Sequence, residues 1–74
     1  MTVSLLLPGP GGSMSETVGT EVLRRDGEED HYEYEIHASG ALIVWSIKRG
    51  AADAVLEAYG PGAWLKVSGS VYQP

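Results

Sequence analysis

Residues 31–37, His-Tyr-Glu-Tyr-Glu-Ile-His, alternate without a break between two kinds of side chain. Tyr32, Tyr34 and Ile36 share one side; His31, Glu33, Glu35 and His37 share the other. A period of two over seven residues is the signature of a half-buried β-strand. It admits few other folds for this stretch. The run that follows, residues 41–48, is rich in β-branched and aromatic residues and also reads as a strand. Between them stands Ser39-Gly40, so the pair is expected to form a β-hairpin.

Loop length then decides the faces. A two-residue Ser39-Gly40 turn sets Ile36 opposite Ile43, Tyr34 opposite Trp45 and Tyr32 opposite Ile47, giving one apolar face. A three-residue turn shifts the pairing by one and sets Glu33 opposite Trp45. A one-residue slip carries a whole set of side chains to the other face. The two-residue turn keeps the apolar set together and is the preferred reading. It leaves Leu42 and Val44 on the polar side, beside Glu33, Glu35 and His37. A strand apolar on both faces is usually central or covered twice, so something is expected to cover Leu42 and Val44.

The chain has 74 residues and no cysteine, which limits it to one domain with a thin core and no disulfide or cysteine zinc site. That raises the prospect of a homo-oligomer. Absence of cysteine also suits a reducing compartment, and a soluble cytoplasmic protein is expected. No stretch reaches the roughly 18 apolar residues of a membrane span. Residues 3–7 are too short for a secretory core, and no Lys or Arg precedes them.

The net charge of −5 is unevenly placed. Residues 1–37 carry −6, and residues 38–74 carry +1. Such a chain repels phosphate backbones, which disfavours a nucleic-acid partner and fits a basic protein partner better.

Residues 1–15 are read as an N-terminal segment apart from a domain at 16–74. It is a flexible arm, or residues added for expression, with Met14 as an alternative start. Val3-Ser-Leu-Leu-Leu7 is a short apolar patch on the Pro/Gly-rich tether Pro8-Gly-Pro-Gly-Gly-Ser13. Docked on Leu42 and Val44, the arm would cover them, within one chain or between two. Residues 16–25, rich in Thr and Val, read as a strand. Asp26-Gly-Glu-Glu-Asp30 is an acidic connection to the hairpin.

Residues 51–59 change period. Ala52, Val55, Leu56 and Tyr59 fall at i, i+3, i+4 and i+7, the stripe of a short helix. Asp53 suits its first turn, and Gly60-Pro61 its end. Residues 63–72 form a final strand, with Ala63, Leu65, Val67 and Val71 inward and Trp64 and Tyr72 outward. Gly69 marks a bulge or a close backbone approach. The expected class is α+β, in the order β-β-β-α-β. The strands are mainly antiparallel, with one helix packed on one face of the sheet. The last strand is expected parallel to the first and third.

Four residues deserve a chemical test. His31, Glu33, Glu35 and His37 lie about 6.6 Å apart in succession on one strand face. Imidazole and carboxylate suit zinc, iron or manganese. Successive side chains on one strand diverge, however, and the facing strand offers no strong ligand. The metal reading is therefore the weakest, and no cofactor is expected. Glu33 and Glu35 lack the enclosure that separates the pKa values of a catalytic pair. No nucleophile elbow occurs, and Gly9-Pro-Gly-Gly12 lacks the ending of a phosphate loop. Tyr32, Tyr34 and Trp45 are expected in the core rather than as a base-stacking platform.

An enzyme is accordingly not expected. The first expectation is a small acidic interaction module, such as an inhibitor, immunity-type protein or adaptor, on a larger and basic partner. The second is a subunit of a homo-oligomer or particle that uses the arm. Interface candidates are Leu5 and Leu6 on the arm, Leu42 and Val44 on the uncovered face, and the outward aromatics Trp64 and Tyr72. Glu28, Glu29 and Asp30 in the acidic connection complete the set.

Overall fold

In the computed structural model, which describes residues 2–9 and 19–73, every regular element is a strand. In chain order these are β1 (Val3–Leu7), β2 (Thr20–Arg24), β3 (Asp30–Ile36), β4 (Leu42–Lys48), β5 (Ala54–Tyr59) and β6 (Lys66–Ser68). They build two three-stranded antiparallel sheets, ordered β2-β1-β6 and β3-β4-β5.

The two central strands are the two runs least able to sit at an edge. β1 reads Val-Ser-Leu-Leu-Leu and β4 reads Leu-Ile-Val-Trp-Ser-Ile-Lys. Both carry apolar residues on both faces, so both need cover on both faces and hydrogen-bond partners on both edges. Each sends two side chains into the space between the sheets. Val3, Leu5, Leu42 and Val44 are fully buried there. Leu7, Val22, Tyr32, Tyr34, Tyr59, Trp64 and Val67 pack around them. The cover for Leu42 and Val44 is thus β1 of the same chain. Residues 3–7 of the N-terminal segment are a strand paired on both sides. The remainder of the tether beyond Gly9, Met14, and residues 16–18 of the strand expected at 16–25 lie outside the described residues.

The hairpin takes the longer loop. His37 N–H donates to the Ala41 carbonyl at 2.8 Å, and Gly40 N–H to the His37 carbonyl at 2.8 Å. Ala38-Ser39-Gly40 is therefore a three-residue loop, with Gly40 at φ 90°, the left-handed position that glycine takes without strain. His37 and Ser39 hold this loop locally. Ser39 N–H donates to His37 Nδ1 at 3.1 Å, the Ser39 hydroxyl lies 2.9 Å from the same nitrogen, and Ala41 N–H donates to Ser39 Oγ at 3.4 Å. The register becomes Ile36 opposite Leu42, Tyr34 opposite Val44, Tyr32 opposite Ser46 and Glu33 opposite Trp45. The expected pairing of Tyr34 with Trp45 is corrected by one residue, and the faces of β4 exchange. Leu42 and Val44 turn inward; Ile43, Trp45 and Ile47 turn outward.

Within the expected helix at 51–59, residues Ala54–Tyr59 are a strand, so the described residues are all-β and the fold is not an α+β one with a helix packed on a sheet. The physical reason lies in β4. It needs a second edge partner, and residues 54–59 supply one directly after the Lys48–Ala51 turn, where Gly50 takes φ 77°. A helix of nine residues has little stability of its own in water. Ladder hydrogen bonds to a central strand outweigh that weak preference. The i, i+3, i+4 spacing is met by a strand with one extra residue: the register with β4 shifts between Val44 and Trp45, leaving Leu56 as the bulge.

The expected single sheet is also corrected: the strands divide between two. β2 pairs with β1, not with β3. The last strand divides at Gly69. Residues 66–68 run antiparallel to β1, and Val71 then bridges Tyr34 in parallel on the edge of β3. Gly69 sits at φ 125°, and a Cβ there would overlap the Thr2 carbonyl. The chain turns from one sheet to the other at the residue without a side chain, a device that joins sheets at a corner.

Candidate functional site

The outer face of the second sheet carries the richest surface chemistry. The three-residue loop puts Ile43, Trp45 and Ile47 of β4 on this face, opposite Glu35, Glu33 and His31 of β3. Val55 and Ala58 of β5 flank them. The strand residues of this face include no Lys or Arg.

The C-terminal segment completes the arrangement. Tyr34 N–H donates to the Ser70 carbonyl at 2.9 Å, and Tyr72 N–H donates to the Tyr34 carbonyl at 2.7 Å. With Val71 bridged to Tyr34, Tyr72 falls on the opposite side, over the sheet. Its ring stacks on Trp45 with centroids 4.3 Å apart and planes 10° from parallel. Such a pair contributes about 0.5–1.5 kcal/mol beyond its buried area.

Three carboxylates surround the stack. Trp45 Nε1–H donates to Glu35 Oε1 at 3.0 Å. Tyr72 O–H donates to Asp53 Oδ2 at 2.9 Å. Glu33 stands directly across from Trp45. The Tyr72 phenol is pushed above its ordinary value, first by the hydrogen bond to Asp53, then by partial desolvation and the negative charges of Asp53, Glu33 and Glu35. The stack therefore lies in a negative field, with two aromatic rings fixed by hydrogen bonds at both polar ends. That combination attracts cations, which favour aromatic faces and carboxylates together.

A second polar cluster lies between the sheets. Arg24 of β2 donates from Nε to Glu57 Oε1 of β5 at 2.8 Å, and Tyr59 O–H donates to Glu57 Oε2 at 2.6 Å. Burial alone would push the Glu57 carboxyl up. The hydrogen bonds from Arg24 and Tyr59 outweigh it and hold the group below its ordinary value. Arg24 is raised, chiefly by its hydrogen bond to Glu57. Tyr59 is raised by burial first and by Glu57 second. This cluster ties one sheet to the other.

The sequence-derived candidates fall in different places. Leu5, Leu42 and Val44 are the core itself, and their side chains are closed to a second molecule. Leu6 lies on the outer face of the first sheet, in an open hollow of about 420 Å³ lined with Ser4, Glu21, Lys66 and Ser68. Trp64 is half-buried against the core, its Nε1–H donating to the Gly40 carbonyl at 3.0 Å. Tyr72 is in the stack. Glu28 and Glu29 are exposed in the β2–β3 connection, and Asp30 opens β3 opposite Lys48.

His31, Glu33, Glu35 and His37 do share one face, as the alternation requires, but the Nδ1 atoms of His31 and His37 serve the loops. His31 Nδ1 lies 3.2 Å from Asp26 Oδ2, and His37 is held by Ser39. Among the described residues no group of three or more such side chains is arranged to hold a metal ion. None of the helices needed for a helical membrane span occurs among them either.

Trp45 and Asp53 are the residues that sequence reasoning placed elsewhere, in the core and in a helix. The signal for Trp45 was Leu42 and Val44. Burying that pair fixes the register and turns Trp45 outward. The chain matches no protein-family profile, no curated protein sequence and no solved structure.

Proposed function

We propose that this chain is a small acidic protein-binding module, not an enzyme. Its outer second-sheet face engages a basic segment of a larger partner, and it acts by occupying that partner's surface. The observation that carries the reading is the Trp45–Tyr72 stack rimmed by Glu33, Glu35 and Asp53. Trp and Tyr are enriched where binding energy concentrates, and a rim of one charge steers a partner of the other. The net charge of −5 acts in the same direction. A cysteine-free chain suits the cytoplasm, which is where we place the encounter.

The test compares capture of partners from the source cell by wild-type protein and by two variants, Trp45→Ala and the double change Glu33→Gln with Glu35→Gln. Wild type is expected to retain a basic protein. Loss of a central aromatic anchor costs about 2 kcal/mol or more, roughly 30-fold in affinity. The double Gln variant slows association and flattens the salt dependence. Retention of the same proteins by all three, or binding indifferent to salt, would refute the reading.

A further inference from the structure

A sheet edge presents unpaired backbone N–H and C=O groups, and proteins that stay monomeric guard such edges with charge, brevity, bulges or cover. The four edges of the two sheets are guarded unequally. The edge of β3 is blocked at its middle, where Ser70–Tyr72 makes two backbone hydrogen bonds to Tyr34, and beside it Tyr32 N–H donates to Asp26 Oδ1. β6 is only three residues long. β2 carries Glu21 and Arg24 and runs into Arg25. β5 is six residues, Ala-Val-Leu-Glu-Ala-Tyr, and among the described residues its backbone pairs with β4 alone. Its one charge, Glu57, is engaged by Arg24 between the sheets. Val55 and Leu56 are exposed, at 52% and 45%. The bulge at Leu56 twists this edge without charging it.

We propose that the free edge of β5 is a homodimerisation edge, at which two copies pair antiparallel through Ala54–Tyr59 into one six-stranded sheet. Two features choose a second copy of this chain over another partner. The first is charge. In a protein of net charge −5, β5 is an edge whose only acid is neutralised internally, so two copies meet there without facing carboxylates. The second is closure. A two-fold pairing uses the same strand from both chains. The combined sheet then ends at the two β3 edges, and each is already blocked at Tyr34 by its own C-terminal segment. Assembly stops at two. The pairing also enlarges a domain in which, among the described residues, four hydrophobic side chains are fully buried, the situation in which small chains gain most from association. The two outer faces become one continuous surface, with a Trp45–Tyr72 stack on each half.

Sedimentation equilibrium of the full chain tests this against concentration. Wild type is expected at twice the chain mass, with association strengthened by added salt as the repulsion between two −5 copies is screened. Leu56→Lys places a charge on the exposed edge and is expected to give a folded monomer, with folding checked by circular dichroism. Since the chain has no cysteine, Leu56→Cys gives an independent readout. It is expected to form a disulfide-linked dimer under mild oxidation, while Leu23→Cys on β2 does not. A wild type that stays monomeric, or one that grows beyond the dimer, overturns the proposal. So does a folded Leu56→Lys that remains dimeric. Should that variant fail to fold, equal cross-linking of the two cysteine variants overturns it.

Discussion

Leu5 and Leu6 are neighbours of identical composition on opposite faces of β1, and truncating each to Ala separates the role of the N-terminal strand from every other effect. Leu5 is 1% exposed. Its cross-strand neighbours are Val22 and Val67, and Leu42 and Val44 are in the same core cluster. Leu5→Ala removes three carbons at about 0.8 kcal/mol each, roughly 2.4 kcal/mol. The cavity left behind brings the usual range for such changes to about 2–5 kcal/mol. A domain of this length is stable by about 4–11 kcal/mol in total, from roughly 0.05–0.15 per residue. Leu5→Ala is thus expected to remove a large share of the stability and to lower Tm by at least about 8 °C, at about 4–8 °C per kcal/mol. Leu6 stands between Glu21 and Lys66 on the outer face. Leu6→Ala is expected to cost about 1 kcal/mol or less. Urea unfolding followed by circular dichroism measures both. Equal costs for the two variants, or none for Leu5→Ala, would refute the placement of β1 at the centre of the fold.

Two further outcomes follow from the contacts between the sheets. Glu57→Gln, which removes the charge that Arg24 and Tyr59 hold, is expected to cost about 1 kcal/mol in urea unfolding, since the Arg24 side chain is 36% exposed and solvent screens the pair. The Glu57 carboxyl is depressed in the folded state, so its contribution is complete above the ordinary value of about 4.3 and is lost as pH falls below it. The gap between wild type and variant should close in acid. Gly69→Ala forces a side chain into a left-handed conformation against the Thr2 carbonyl. A loss of about 1–3 kcal/mol is expected, with weakened near-ultraviolet dichroism as Tyr72 leaves Trp45.

The strands of the hairpin were legible because period-two alternation has one structural meaning over seven residues. The central place of β4 was legible too, from its apolar character on both faces. The strand β5 was not, because Ala52, Val55, Leu56 and Tyr59 satisfy two geometries. They make a helical stripe, and they equally make a bulged strand whose extra residue is Leu56. Only the demand of β4 for a second edge partner decides between them, and that demand lies in another part of the chain. The sheet change at Gly69 was marked by a glycine inside a strand pattern, but the residue it approaches, Thr2, is distant in sequence. The Arg24–Glu57 link likewise joins residues 33 apart and has no local signature.

The candidate site depends on one residue of loop length. With a two-residue turn, Trp45 would face the core and Leu42 and Val44 would lie on the surface beside Glu33 and Glu35. The third loop residue exchanges these sets. It gives the core two compact branched side chains, matched to Val3 and Leu5 across the gap between small sheets. It gives the surface the large indole, whose N–H can still reach Glu35. Trp is costly to bury without a partner for that N–H, and the inner face of β4 is lined by the Val3 and Leu5 side chains instead. Loop geometry, core volume and satisfaction of the indole therefore favour the same register. The acidic aromatic face is what that register leaves outside.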